Sequence, residues 1–159
     1  PYTGMIMSTR ETPEMRRETL ALGVSQISAG SRTNPGGYCE EEKFDASQFS
    51  LGDHRPVDEV IRDVAELGYI PSFCTGCYRM GRTGADFMDL AKPGLIKSYC
   101  GVNALSTFME FLVHYGSPET RAAGEACIAQ ALGEMPPNLR EKASTMVEKV
   151  KAGARDVYV

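Results

Sequence analysis

Three cysteines mark the stretch of this sequence with the clearest capacity for chemistry. Cys74 and Cys77 form a C-x2-C pair, and Cys100 follows after twenty-two further residues. Gly76 lies between the paired cysteines, where a glycine lets the backbone curl and aims both thiols to the same side. Three converging thiols predict a metal site. A closed structural zinc site takes four ligands, whereas an iron-sulfur cluster held by three cysteines keeps one iron open.

The spacing by itself leaves three kinds of site open: structural zinc, an iron-sulfur cluster and a thiol-redox arrangement. Zinc needs a fourth ligand, for which His54 and His114 are candidates. We interpret Cys127 as a core residue on the apolar stripe of a helix, and Cys39 as a linker residue without a role. Cations between the thiols would offset the negative charge of a thiolate-bound cluster. They are Arg79, Arg82, Lys92 and Lys97.

The composition excludes several classes of function. The 159 residues are 42% hydrophobic and 24% charged, and the net charge is −4, which gives no electrostatic reason to expect nucleic acid or an anionic membrane as partner. No apolar run approaches the roughly 20 residues of a membrane helix, and no secretory signal is present. We therefore expect a cytoplasmic protein. Its five cysteines indicate metal or redox use rather than a disulfide framework.

A strand, a helix and a second strand open the sequence. The pattern predicts a strand over residues 1–7, a helix that begins after Thr12 and ends at Gly23, and a strand over residues 24–29. Such a βαβ unit implies parallel strands, and it needs the rest of a parallel sheet or barrel. No further βα repeats follow in the sequence. We therefore predict that residues 1–37 close a larger α/β domain.

The remaining residues predict helices. Residues 38–55 have the composition of a linker between domains, and residues 56–159 indicate a helical domain that carries the cysteines. The fold class is therefore α+β. The predicted helices cover residues 56–67, 85–91, 103–115, 118–132 and 137–152.

Polar residues follow both predicted strands. Ser8 and Arg10 come after the first strand, and Ser31 and Arg32 come after the second. Ligands bind at this end of the strands in parallel sheets and barrels, and the guanidinium fork suits a carboxylate. The alternative is an ordinary solvated loop with surface arginines.

Three segments carry a resemblance to a known family. They are Ser28–Tyr38, Gly52–Arg55 and Phe73–Arg79 together with Cys100. They resemble the C-terminal part of the HydG family, the radical S-adenosylmethionine tyrosine lyases that mature FeFe-hydrogenase. The first part is also similar to the related tyrosine lyase of thiamine biosynthesis, ThiH. That relative lacks the three-cysteine motif, so the motif is the discriminating feature.

The resemblance implies both a fold and a reaction. It implies that residues 1–37 are the last β/α segment of a TIM (β/α)8 barrel, where a radical-generating 4Fe-4S cluster cleaves S-adenosylmethionine. The radical splits tyrosine into p-cresol and dehydroglycine, which yields carbon monoxide and cyanide for the hydrogenase H-cluster. Cys74, Cys77 and Cys100 match the ligands of an auxiliary 4Fe-4S cluster in the helical domain. On its open iron the family binds an extra iron and a cysteine ligand, and there the Fe(CO)(CN) product is assembled.

The resemblance also implies ligands and partners, and this sequence differs from the family in one motif. It makes Ser8, Arg10, Ser31 and Arg32 candidates for the pocket of tyrosine or of the methionine end of the cofactor, and it identifies no catalytic residue. The implied partners are tyrosine, S-adenosylmethionine and the FeFe-hydrogenase maturation proteins. The C-x3-C-x2-C motif of the radical-generating cluster is absent from this sequence, so we expect this chain alone to bind one cluster and to be inactive. The alternatives are a structural zinc-binding module and a protein-interaction module.

Overall fold

The computed structural model describes residues 4–38 and 48–159. The chain divides into two compact units, Pro1–Val60 and Ile61–Val159. Cys39 and half of the predicted linker, residues 39–47, lie outside the described residues. The predicted domain limits at residues 37 and 55 therefore stay a prediction.

The first unit contains a parallel βαβ arrangement. Strand β1 is Ile6–Met7, helix α1 is Pro13–Ala21 and strand β2 is Gln26–Ile27, and the two strands pair in parallel with Ile6 opposite Gln26. Thr12 caps α1, because its side chain accepts a hydrogen bond from the backbone N–H of Met15 at 3.4 Å. The predicted order of elements is confirmed. Both strands are shorter than predicted, and residues 1–3 lie outside the described part of the first strand.

The remaining regular elements of the described chain are helices. The helix Lys97–His114 is central in the second unit because it packs against both helices that follow it. This confirms the mostly helical second half. None of the helices in the two described stretches is both long and apolar enough to cross a membrane. The helices are α2 (Val57–Glu66), α3 (Gly76–Arg79), α4 (Gly84–Ala91), α5 (Lys97–His114), α6 (Pro118–Glu134) and α7 (Pro137–Lys151).

The core of the second unit forms along one face of α5. Leu105, Phe108, Met109 and Leu112 recur at the spacing of one helix face, and all are fully buried. Gly124 allows α6 to cross this face closely, since a Cβ at that position would lie 2.5 Å from Cδ1 of Leu112. The core therefore fixes the axis of the helix on which Cys100 lies.

Helix α5 begins earlier than predicted. The sequence placed its start at residue 103, but the helix begins at Lys97, and the backbone N–H of Cys100 donates to the carbonyl of Ile96 at 2.9 Å. The helix runs through Gly101, since a glycine inside a helix costs only about 1 kcal/mol and burial of Val102 and Asn103 offsets that cost. As a result, Cys100 lies near the start of α5 rather than in a loop before it.

Candidate metal centre

Cys77 lies in the short helix α3, and Cys74 lies two residues before this helix begins at Gly76. The backbone N–H of Gly76 donates a hydrogen bond to Sγ of Cys74 at 3.3 Å. A Cβ at Gly76 would lie 3.0 Å from Nδ2 of Asn103 and 3.1 Å from Cδ1 of Tyr158. Close packing therefore explains this glycine, because its φ is not in the left-handed region.

Cys100 interacts electrostatically with the C-x2-C pair. Burial raises the pKa of the Cys100 thiol, the charges of Cys77 and Cys74 raise it further, and the Arg82 guanidinium lowers it. Charges influence one another this way only when they lie near each other. Cys74 and Cys77 are half-buried, and Cys100 is exposed. The three thiols are therefore near enough for their charges to interact, and their role as ligands stays a prediction.

Val159 and Tyr158 form hydrogen bonds with residues near the three cysteines. The backbone N–H of Val159 donates to Oδ1 of the buried Asn103 at 2.9 Å, and Nη2 of Arg82 donates to the backbone oxygen of Val159 at 2.6 Å. The hydroxyl of Tyr158 lies 3.4 Å from that of Thr75. No sequence pattern indicated that this segment lies near the cysteines, because contacts to side chains far away in the sequence leave no local signal.

The cations between the cysteines differ in their surroundings. The Arg82 guanidinium lies 4.8 Å from the ring centroid of Tyr99, and Arg79 forms an ion pair of 3.1 Å with Asp156 at the surface. Lys92 is exposed. Of these cations, Arg82 is the one whose charge acts on the Cys100 thiol.

The surroundings of the other candidate ligands are explained without a metal ion. Cys127 is a core residue, as predicted, and its Sγ donates to the carbonyl of Tyr69 at 3.5 Å. Nδ1 of His114 lies 3.5 Å from Nη2 of Arg155, and His54 is exposed in the first unit. Within residues 4–38 and 48–159, no group of three or more His, Cys, Asp or Glu side chains is arranged to hold a metal ion.

The residues predicted to form a ligand pocket follow β1 and β2. Oγ of Ser8 accepts a hydrogen bond from the backbone N–H of Arg10 at 3.2 Å, and the Arg10 guanidinium lies 4.4 Å from the ring centroid of Phe49. Arg32 folds back on its own loop, where Nη1 donates to the carbonyl of Ser31 at 3.2 Å. The assignment of these residues to a ligand pocket stays a prediction.

A buried ion network in the first unit was missed by the sequence analysis. Arg16 of α1 is 3% exposed, and its guanidinium pairs with Asp53 and donates to the backbone oxygen of Ser28. Arg55 donates to both carboxylate oxygens of Asp53, from Nε at 3.0 Å and from Nη2 at 2.8 Å. Burial by itself would raise the pKa of Asp53, but the hydrogen bonds from Arg55 and the charge of Arg16 lower it to about 2. The carboxylate therefore stays charged.

Gly52 brings Asp53 to this position. The backbone N–H groups of both residues donate to the carbonyl of Thr9, at 2.9 and 3.0 Å. A Cβ at Gly52 would lie 2.5 Å from the carbonyl oxygen of Arg10, so only glycine fits. The sequence signal for this network was the Gly52–Arg55 segment, which the resemblance singled out without a role.

Comparison with known proteins adds three similarities. Residues 1–70 match the family model of the Biotin and Thiamin Synthesis associated domain. The 2-iminoacetate synthases of Salmonella typhimurium and Escherichia coli are each 34% identical to this chain over 71 residues, which is 45% of this chain and 19% of the relative. The crystal structure of HydG, a maturase of the FeFe-hydrogenase, matches 100% of this chain at 48% identity with a TM-score of 0.89.

The resemblance to the C-terminal part of HydG is confirmed. The match to the HydG structure includes the segment with the three cysteines, because it extends over the whole chain. The chain spans about a fifth of the length of the curated relatives, and it covers 34% of the HydG chain. It is therefore similar to a part of these proteins.

Proposed function

We propose that this chain is the auxiliary-cluster part of a radical S-adenosylmethionine tyrosine lyase of the HydG kind. Cys74, Cys77 and Cys100 would hold a 4Fe-4S cluster with one open iron. The full-length protein would cleave tyrosine to p-cresol and dehydroglycine and would make carbon monoxide and cyanide for the hydrogenase H-cluster, with the product assembled at the auxiliary cluster. The observation that carries this proposal is the match of the whole chain, its three-cysteine motif included, to HydG at 48% identity.

A cluster and a single zinc ion differ in the spacing of their cysteine ligands. Ligand sulfurs around one zinc ion lie within about 4 Å of each other, because each Zn–S bond is near 2.3 Å. A cluster binds each cysteine to a different iron, so its ligand sulfurs lie further apart. The C-x2-C-x22-C spacing, which the resemblance links to an auxiliary cluster, supports a cluster over zinc.

Residues around the thiols can stabilise the negative charge of a bound cluster. The N–H of Gly76 already donates to Sγ of Cys74, and hydrogen bonds to cysteine sulfur are among the factors that set a cluster's reduction potential. When bound, a cluster held by three cysteines would supply one iron with an open coordination position. Cys74, Cys77 and Cys100 would fix its place, and Asn103 with Val159 would hold the neighbouring loop in position.

Metal analysis of the chain tests this proposal. We expect anaerobic reconstitution with iron and sulfide to give about four iron atoms per chain, and serine at Cys74, Cys77 or Cys100 to remove most of them. Cys127→Ser is the matched control, because this thiol is in the core and should leave the iron content unchanged. An EPR spectrum altered by added L-cysteine would indicate the open iron.

Two outcomes would reject the cluster. One equivalent of zinc without iron would indicate the structural zinc module, and in that case loss of His54 or Cys127 should weaken binding as much as loss of Cys74. Cysteine variants that leave a partner interaction intact, in a chain that binds neither metal, would indicate the protein-interaction module.

We also propose that Ser8, Arg10, Ser31 and Arg32 contribute to the pocket for tyrosine or for the methionine end of S-adenosylmethionine. The support is their position after two parallel strands and the carboxylate carried by both ligands. In a full-length enzyme, Arg32→Gln should suppress p-cresol formation, whereas Cys100→Ser should spare it. Unaltered p-cresol production by the Arg32 variant would reject the role.

A further inference from the structure

Arg82 contacts both segments that carry the three thiols. Its backbone N–H donates to the carbonyl of Cys77 at 2.8 Å, and its guanidinium lies 4.8 Å from the ring centroid of Tyr99, the residue before Cys100. Nη2 donates to the backbone oxygen of Val159 at 2.6 Å. The side chain is therefore held across the site, from the C-x2-C loop to the start of α5.

The fixed guanidinium has a buried donor without an acceptor. Nε of Arg82 is shielded from solvent, and in the described part of the chain it has no hydrogen-bond partner. Leaving the N–H of a charged group buried and unsatisfied is costly, because the group has lost its water and gained nothing in return. Such a donor is available to an anionic group bound at the thiols.

Arg79, the last residue of α3, lies three residues before Arg82 and differs from it in exposure and pairing. Its side chain is 52% exposed, it pairs with Asp156 at 3.1 Å, and it lies 5.7 Å from the ring centroid of Tyr158. An exposed ion pair of this kind is largely screened by solvent. Arg79 is therefore a matched comparison, because it is the same residue type nearby in the chain and its charge is paired at the surface.

We propose that Arg82 is the charged hydrogen-bond donor of the three-thiol site, with Nε–H directed at the anionic group that Cys74, Cys77 and Cys100 hold. This inference rests on the proposed function and deepens it. Its positive charge and its N–H stabilise the more negative, reduced form of a thiolate-bound cluster, which raises the reduction potential and slows the loss of iron.

The experiment compares Arg82→Gln, Arg82→Lys and Arg79→Gln in this chain after anaerobic reconstitution with iron and sulfide. The readouts are the midpoint potential from an EPR-monitored redox titration and the rate at which a chelator removes iron. We expect Arg82→Gln to lower the potential and to speed iron loss several-fold. Lysine keeps the charge and lacks the planar N–H fork, so Arg82→Lys should recover only part of the potential. Arg79→Gln should resemble the wild type.

The outcomes separate this inference from the function on which it rests. If the wild-type chain takes up no iron, the proposed function itself is rejected. A wild-type chain that loads iron while Arg82→Gln keeps its potential and its chelation rate overturns only the role of Arg82, as does an equal shift in Arg79→Gln. If circular dichroism shows that Arg82→Gln does not fold, Arg82→Lys decides: wild-type potential and wild-type iron loss in that variant reject the role.

Discussion

The two units of this chain are stabilised by different interactions. Among the described residues of the first unit, Val60 is the only fully buried hydrophobic side chain, whereas Arg16 and Asp53 are buried and charged. In the second unit, Phe108 and Leu112 are completely buried in an apolar core. A two-stranded unit cannot cover enough apolar surface by itself, so the buried ion network carries more of its stability.

The difference bears on how each unit positions its candidate residues. In the first unit, the backbone N–H groups of Gly52 and Asp53 donate to the carbonyl of Thr9, which follows β1. The ion pair between Asp53 and Arg16 then links this segment to α1. In the second unit, the apolar core fixes α5, and polar contacts to Val159 orient the loop that carries Cys74 and Cys77. The substitutions below should therefore act on one unit at a time.

The largest effect is expected in the apolar core. Phe108→Ala should lower the free energy of unfolding by about 4 kcal/mol, because a buried ring leaves a cavity that its neighbours fill only partly. Urea unfolding followed by circular dichroism measures this loss. Tyr78→Ala is the control, since that ring is 80% exposed and its removal should change stability little. A loss below about 1 kcal/mol for Phe108 would contradict the central role of α5.

The charge network should come next. Asp53→Ala should destabilise the first unit by about 3 kcal/mol, because it leaves Arg16 buried without a counter-charge. Hydrogen exchange of the α1 amides is the appropriate measurement, as it reports on this unit. The control is Glu148→Ala, which removes an exposed ion pair with Lys151 on α7 and should cost less than about 1 kcal/mol by hydrogen exchange of the α7 amides. Equal effects in the two variants would remove the distinction between buried and exposed pairs.

Acid should weaken the same network. The pKa of Asp53 is about 2 in the folded protein against an ordinary value of 3.8, so its contribution to stability is complete at higher pH and is lost as the pH falls towards 2. The loss should be on the order of 2 kcal/mol. Unfolding of the wild type and of Asp53→Asn at several pH values tests this, because the gap between them should close in acid. A gap that does not change with pH would rule out Asp53 as the titrating group.

The smallest effect is expected where α6 crosses α5. Gly124→Ala should cost about 1 to 2 kcal/mol, because the new methyl group would meet Leu112 and Phe108 in a filled core. Gly133→Ala is the matched control on the same helix. No atom lies within 4 Å of a Cβ there, so alanine should stabilise the helix by about 0.5 to 1 kcal/mol. Thermal unfolding of both variants should therefore give shifts of opposite sign.

Local patterns in the sequence were sufficient to predict most of the elements. Thr12 was recognisable as the cap of α1, and its side chain accepts a hydrogen bond from the backbone N–H of Met15. Cys127 was predictable as a core residue from its place on an apolar stripe. The spacing of Cys74, Cys77 and Cys100, together with the resemblance, was sufficient for the hypothesis of an iron-sulfur site. The predictions of the cap and of the core residue succeed because they depend on residues close together in the chain, whereas the iron-sulfur site stays a prediction.

What the sequence by itself determined is therefore the order of the elements, their caps and the three candidate ligands. Only the tertiary structure decided that Asp53 would be buried between Arg16 and Arg55, and that Val159 would bind Asn103 and Arg82. Apart from the local contact between Arg55 and Asp53, those contacts join residues 37 to 77 positions apart. Partners at such distances are selected by packing and by the need to satisfy buried charge, and neither requirement leaves a periodic signal in the sequence.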